Sequence, residues 1–135
     1  MASIERSLDA LRPEAQRIAR LGLHIIRDDL GLDARVVETL RSKERQAALQ
    51  KSGDSDVAVG WHTVGLAWDT LIYSNGVVLH DDRTGEYTRA GHIWQALDCR
   101  WPIKIARGID YGHVEFHPGF TLQQFLNGSK GGLIT

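Results

Sequence analysis

Two short stretches hold most of the residues that could do chemistry. They are Gly60-Trp61-His62-Thr63-Val64-Gly65-Leu66-Ala67-Trp68-Asp69 and Asp110-Tyr111-Gly112-His113-Val114-Glu115-Phe116. Read as a strand, the segment from Leu66 puts Ala67, Asp69 and Leu71 on one face and Leu66, Trp68, Thr70 and Ile72 on the other. An Asp among such neighbours is costly unless it is paired or bound to a cation. Ala67 leaves space beside it, and Gly65 permits a tight bend that brings His62 back over the strand. His113 opens a second candidate strand, with Asp110 just before it. Two His and one Asp suit Zn²⁺ as a facial set; a catalytic zinc takes three protein ligands and leaves the fourth position to water. A spare carboxylate nearby then serves as general base. The bland alternative is a His that caps a loop and an Asp that satisfies backbone donors.

Positioning these groups requires a scaffold, and the pattern of the chain predicts a mixed one. Leu8, Leu11, Ala15, Ile18, Gly22, Ile25 and Ile26 recur at spacings of mostly three and four, which predicts an opening amphipathic helix. Arg12, Glu14, Arg17, Arg20 and Arg27 take its wet side, Pro13 suits the first turn and Gly31 the stop. A short Val-rich strand is expected over 34–40, then a helix capped by Ser42 that carries Gln46 to Leu49 and ends near Gly53. Residues 52–56 read as a loop. A strand over 66–73 is joined through Asn75-Gly76, a strong hairpin-turn pair, to a second over 76–80. A loop at 81–86, a helix over 91–97, strands over 103–106 and 113–117 and a last helix over 121–126 capped by Thr121 complete the prediction. The Gly-rich stretch 128–132 is expected to be mobile. Helices mixed with hairpin-linked strands indicate an α+β fold, a small antiparallel sheet flanked by helices.

The bulk numbers narrow the field. At 135 residues, 42% hydrophobic and 24% charged, the chain fits one globular domain, 1–135, with no linker or repeat. Sixteen Lys and Arg against seventeen Asp and Glu give a net charge of -1, so bulk electrostatics predict no nucleic-acid partner. A single cysteine, Cys99, rules out an internal disulfide and a Cys-rich zinc knuckle. No apolar run approaches membrane-spanning length, and the N-terminal residues lack the apolar segment of a signal peptide. The expectation is therefore synthesis in the cytoplasm without a membrane partner. His24, His80 and His92 read as surface or packing residues, and Cys99 as a buried apolar one. The four Trp are expected mainly in the core, although they could line a cleft. In a strand, His113, Glu115 and His117 point the same way. Glu115 either orients a zinc-bound imidazole or pairs with a base such as Arg41.

The series His62-x-x-Gly65-x-Ala67-x-Asp69, then Asp110-x-x-His113-x-Glu115, resembles the signature of the zinc D-alanyl-D-alanine carboxypeptidase family. That family includes vancomycin-resistance dipeptidases and carboxypeptidases and the L-alanyl-D-glutamate peptidases used as phage endolysins. A third match, Leu40-Arg41-Ser42-x-x-x-Gln46-x-x-Leu49-x-x-x-Gly53, resembles the family's Arg-Ser helix-entry segment. Together the matches run in order through 37–117. The resemblance implies a hedgehog/D-Ala-D-Ala-peptidase-like fold with one Zn²⁺ on His62, Asp69 and His113. It also implies Asp110 as catalytic carboxylate, Arg41 as the arginine that contacts a substrate carbonyl or carboxylate, and Gln46 and Gly60 as substrate-binding positions. Asp at position 110, where the vancomycin-resistance branch has Glu, leans toward the endolysins. Gly60 stands where the family usually has Ser, and the family's Gly-Gly-Asp-Trp-like segment has no recognisable counterpart in 101–108.

The activity so implied is zinc-dependent hydrolysis of a peptidoglycan stem peptide by an endolysin-type L-alanyl-D-glutamate endopeptidase, with no separate wall-binding module. Such an enzyme is made in the host cytoplasm and reaches the wall after release. The alternatives are a D-alanyl-D-alanine carboxypeptidase and a non-catalytic zinc module like the hedgehog-type signalling domains. Asp110 argues against the last, because a structural site has no use for a base.

Overall fold

The computed structural model describes residues 4–52, 60–105 and 108–127. The described part is an α+β unit built on one central strand. Helix α1 (Pro13–His24) starts at Pro13, whose missing N–H costs nothing in a first turn, and runs on through a π-helical turn at Ile25–Asp29. Ala15, Ala19, Gly22 and Leu23 form its buried side, extended by Leu11 before it and Ile26 after it, close to the stripe that the spacing predicts. Strand β1 (Asp33–Glu38) follows, then α2 (Lys43–Ser52), β2 (Ala67–Ser74) and β3 (Val77–Val78). After them come α3 (Glu86–Ala96), β4 (Ile103–Ile105), β5 (Gly108–Asp110), β6 (His113–Glu115) and α4 (Leu122–Leu126).

Strand β2 organises the sheet. On one side it pairs antiparallel with β1; on the other it pairs with β3 at its C-terminal end and β6 at its N-terminal end. Strands β4 and β5 form a separate two-stranded ribbon. The side chains of Trp68, Thr70 and Ile72 go into the core, where Trp68 meets Trp94 of α3 edge-on with ring centroids 5.4 Å apart. Tyr87 ties α3 to the sheet: its hydroxyl donates to the Leu79 carbonyl (2.8 Å) and accepts from the Ile72 N–H (3.1 Å). No helix among the described residues is long and apolar enough to cross a membrane.

Some elements depart from the sequence expectation. Helix α3 begins at Glu86, five residues earlier than predicted, and the 81–86 loop is shortened accordingly. Tyr87, Ala90, Gly91 and Trp94 are its buried residues, an i, i+3, i+4, i+7 stripe that the shorter prediction cut in half. Asp82 assists the start by accepting from the Thr88 N–H at 3.2 Å. The predicted loop around His62 contains a 3₁₀ turn at Trp61–Val64, closed by Gly65 at φ +75°. Strand β3 is shorter than predicted, and β5 was not foreseen. The final helix has its Thr121 cap, completed by Gln124 reaching back to the Thr121 N–H. The predicted end of α2 at Gly53, most of the 52–56 loop, Ala106 and the 128–132 stretch lie outside the described residues.

Two glycines let aromatic rings close on helices. A Cβ at Gly22 would overlap the Trp94 ring, and one at Gly91 the Trp101 ring. Gly91→Ala is expected to destabilise the protein by about 1–3 kcal/mol, the usual range for overpacking a filled core. A denaturant titration that finds unchanged stability would show that Trp101 can move aside.

Candidate metal centre

A β-bulge prepares the site. Val36 lies opposite Thr70, but the next register pair is Glu38 opposite Asp69, so Val37 is the extra residue. Without it Val37 would face Asp69. On the other side of β2, His113 lies opposite Asp69 and Glu115 opposite Ala67. Directly opposed residues share a face of the sheet. Glu38, Asp69 and His113 therefore form a row across three strands, with Glu115 beside it over the small Ala67. Polar residues take this face while the other supplies the core.

His62 arrives from the 3₁₀ turn and is fully buried. Its Nδ1 lies 2.7 Å from the Thr39 carbonyl oxygen, which can only accept, so Nδ1 donates there and Nε2 is the nitrogen turned toward the site. Thr39 is itself fixed, with its N–H on the Glu5 carbonyl (2.7 Å) and its hydroxyl on the Ser7 carbonyl (2.8 Å). The Arg41 N–H donates to the His62 carbonyl at 2.9 Å. His113 is held in the complementary way: its Nε2 donates to Glu115 Oε2 at 2.8 Å, which turns Nδ1 toward the site.

The inward-facing atoms converge. His62 Nε2, His113 Nδ1 and Asp69 Oδ1 form a triangle with every edge at 3.2 Å. A tetrahedral shell of N and O ligands at about 2.0 Å has edges of about 3.3 Å. At this distance each inward nitrogen can donate to Asp69 Oδ1 when protonated and can offer its lone pair to a cation when not. These residues are the group of metal-binding type found among the described residues, and donor chemistry and spacing both fit zinc.

Electrostatics agree. Burial works to lower the His113 value, but hydrogen bonds and charge from Asp69 and Glu115 outweigh it and push it up to about 10. Those carboxylates thus stabilise positive charge where the triangle sits. Burial also opposes ionisation of Asp69, yet His62 and His113 hold it well below the usual carboxylate range. Glu115 is brought to about 2 against the effect of burial, by His113 on one oxygen and His117 on the other. It therefore pairs with the imidazoles and not with Arg41.

Asp110 ends β5, one turn before His113, and accepts from the Gly112 N–H at 3.2 Å. Burial and then the charge of Asp69 raise its pKa above the ordinary value, although His113 and the backbone donors oppose them. That is the direction required of a carboxylate that takes up a proton near neutral pH. Arg41 is not a free surface charge. Its guanidinium donates to Gln46 Oε1 (2.9 Å) and Glu38 Oε1 (2.9 Å) and reaches toward Asp69 Oδ2 at 3.4 Å. Glu38 also accepts from Arg45 at 3.1 Å. Burial acts against ionisation of Glu38, but the two arginines more than offset it and lower its pKa.

All eight residues singled out from the sequence line one cleft of about 440 Å³: Arg41, Gln46, Gly60, His62, Asp69, Asp110, His113 and Glu115. Glu38, Arg45 and Trp61 join them. Glu38 lies inside the strand predicted over 34–40 and drew no role there, because its place opposite Asp69 depends on the bulge. Thr39 acts through its carbonyl and leaves no side-chain signal. Outside the cleft, His24, His80 and His92 are exposed, while Cys99 is buried, which pushes its thiol up to about 12. Trp68, Trp94 and Trp101 are core residues, and Trp61 alone of the four stands in the cleft wall.

No protein-family model and no curated protein sequence matches the chain. Among solved structures, the crystal structure of the L-Ala D-Glu endopeptidase ChiX of Serratia marcescens is similar, with a TM-score of 0.65 and 21% sequence identity over 93% of each chain. The likeness extends over nearly the whole of both chains and shows that they share a fold.

Proposed function

We propose that the protein is a zinc-dependent peptidoglycan peptidase, most specifically an L-alanyl-D-glutamate endopeptidase of the endolysin type. The observation that carries this reading is the triangle of inward-facing donor atoms on His62, Asp69 and His113, set in a cleft beside a carboxylate whose pKa is raised. The fold shared with an L-Ala D-Glu endopeptidase supports the choice of substrate, as do the ordered motifs of the sequence. The proposed setting is lysis from within, the protein reaching the wall after release from the host cytoplasm.

A zinc ion held by His62, Asp69 and His113 would supply Lewis acidity to the scissile carbonyl and acidity to the attacking water. The chain's own residues do the rest. Asp110 takes a proton from that water and delivers it to the departing amine, so the C–N bond breaks with a neutral leaving group. The Thr39 carbonyl and Glu115 each hold one ring nitrogen of an imidazole and so turn the other toward the site. Arg41 provides positive charge beside Asp69 for a substrate carboxylate or the developing oxyanion. Gln46 fixes that guanidinium, and Gly60 forms part of the cleft wall.

Mass spectrometry of muropeptides after digestion of purified wall tests the reading. New amino termini on D-glutamate support the endopeptidase, whereas loss of terminal D-alanine would move the assignment to a carboxypeptidase. A wall left uncut by zinc-loaded protein would leave only a binding or structural module.

Arg41→Lys provides a narrower test. Lysine keeps the charge but cannot reach Glu38 and Gln46 with a planar fork. The variant is expected to fold, keep its zinc and lose activity by roughly tenfold or more, in line with one charge-assisted contact of about 1.5–3 kcal/mol. Unchanged kinetics on soluble muropeptides would remove Arg41 from the mechanism.

A further inference from the structure

We infer that His117 is a positioning residue, a latch that lies flat on Trp61 and fixes Glu115, and through Glu115 the ring of His113. The inference rests on the reading of His62, Asp69 and His113 as metal ligands.

The geometry is continuous from one ligand to the other. His113 Nε2 meets Glu115 Oε2 at 2.8 Å, and Glu115 Oε1 meets His117 Nε2 at 2.8 Å. A carboxylate held at one oxygen can still swivel about its last torsion; held at both, it cannot. His117 lies beyond β6, which ends at Glu115, so β-ladder pairing does not hold it. Its place is set by Trp61, whose ring stacks on the imidazole with centroids 4.0 Å apart and planes within 9°. Phe120 packs edge-on against both rings.

Trp61 immediately precedes His62 in the 3₁₀ turn. The stack therefore joins the segment that carries one ligand to the segment that orients the other. The latch is also tied to the body of the protein. Trp61 lies 6.5 Å from Phe125 of α4, Arg12 sits over the Phe125 ring, and Arg12 Nε donates to the Val64 carbonyl at 2.7 Å. Arg100 is no substitute: it is exposed and comes only within 3.7 Å of Glu115 Oε1.

Two substitutions separate the parts. His117→Gln places an amide N–H near the position of Nε2 and keeps the donor to Glu115. His117→Phe keeps the stack and removes the donor; His117→Leu serves if the larger ring disturbs folding. One readout is the slowly exchanging Nε2 proton of His113, seen by NMR in ¹⁵N-histidine-labelled protein with and without zinc. The second is zinc affinity measured against a chromogenic chelator.

His117→Gln is expected to keep the proton signal and an affinity within about threefold of the parent. His117→Phe is expected to lose the signal to fast exchange and bind zinc about tenfold more weakly, the lower end of what a lost orienting partner costs. A folded His117→Phe or His117→Leu protein with the signal intact overturns the inference. Failure of the parent to bind zinc would overturn the metal reading instead, and the His113 proton in metal-free protein would still decide the role of His117.

Discussion

His62→Ala is expected to leave a folded protein that no longer retains zinc through purification and no longer cuts peptidoglycan. The substitution removes one of three donor atoms spaced 3.2 Å apart and leaves an imidazole and a carboxylate that cannot complete a tetrahedral face. Losing a ligand costs more than losing a partner that orients one, itself worth roughly 10–100-fold in metal affinity or activity. The Thr39 carbonyl also loses its donor, a buried acceptor left without its bond at a cost of about 1–3 kcal/mol. Since Thr39 stays anchored to Glu5 and Ser7, the strand end it belongs to is expected to hold. Elemental analysis of protein purified without chelators reads the result. A full zinc complement in His62→Ala would refute the assignment of the centre.

Asp110→Asn should separate turnover from metal binding. Asp110 lies outside the triangle, so the variant is expected to keep its zinc. The amide has no basic oxygen to take up a proton, and activity is expected to fall by roughly 10²–10⁴-fold, the usual worth of general acid–base help. The effect should appear in kcat rather than KM, because a proton transfer made only in the transition state leaves binding of the substrate unchanged. Asparagine keeps the side-chain oxygen that accepts from Gly112, so the turn between β5 and β6 should persist. Parent-like kcat in folded, zinc-loaded Asp110→Asn would mean that another group moves the proton.

Much of this site could be read along the chain. The strand through Asp69 was legible because Trp68, Thr70 and Ile72 demand one face and leave Ala67, Asp69 and Leu71 the other, a consequence of the two-residue period alone. Gly65 and Asn75-Gly76 were legible because positive φ is restricted to few residue types; these positions do turn, with φ at +75°, +52° and +80°. The spacing of His62, Asp69, Asp110 and His113 left a bland reading open, and it was the resemblance of the ordered motifs to a known peptidase family that named the group that gathers in the cleft. Other features were decided only in three dimensions. The bulge at Val37, which replaces a valine by Glu38 opposite Asp69, depends on pairing between strands about thirty residues apart and has no local signal. The tautomers of His62 and His113 are set by a backbone carbonyl from β1's far end and by Glu115, and a carbonyl looks the same in every sequence. Arg41 reads as an ordinary surface charge until folding buries it between Glu38, Gln46 and Asp69. Sequence fixes which chemical groups are available and which way a strand can turn them; the distances that gather His62, Asp69 and His113 arise only when β2 pairs with β6 and the 3₁₀ turn folds His62 back toward them.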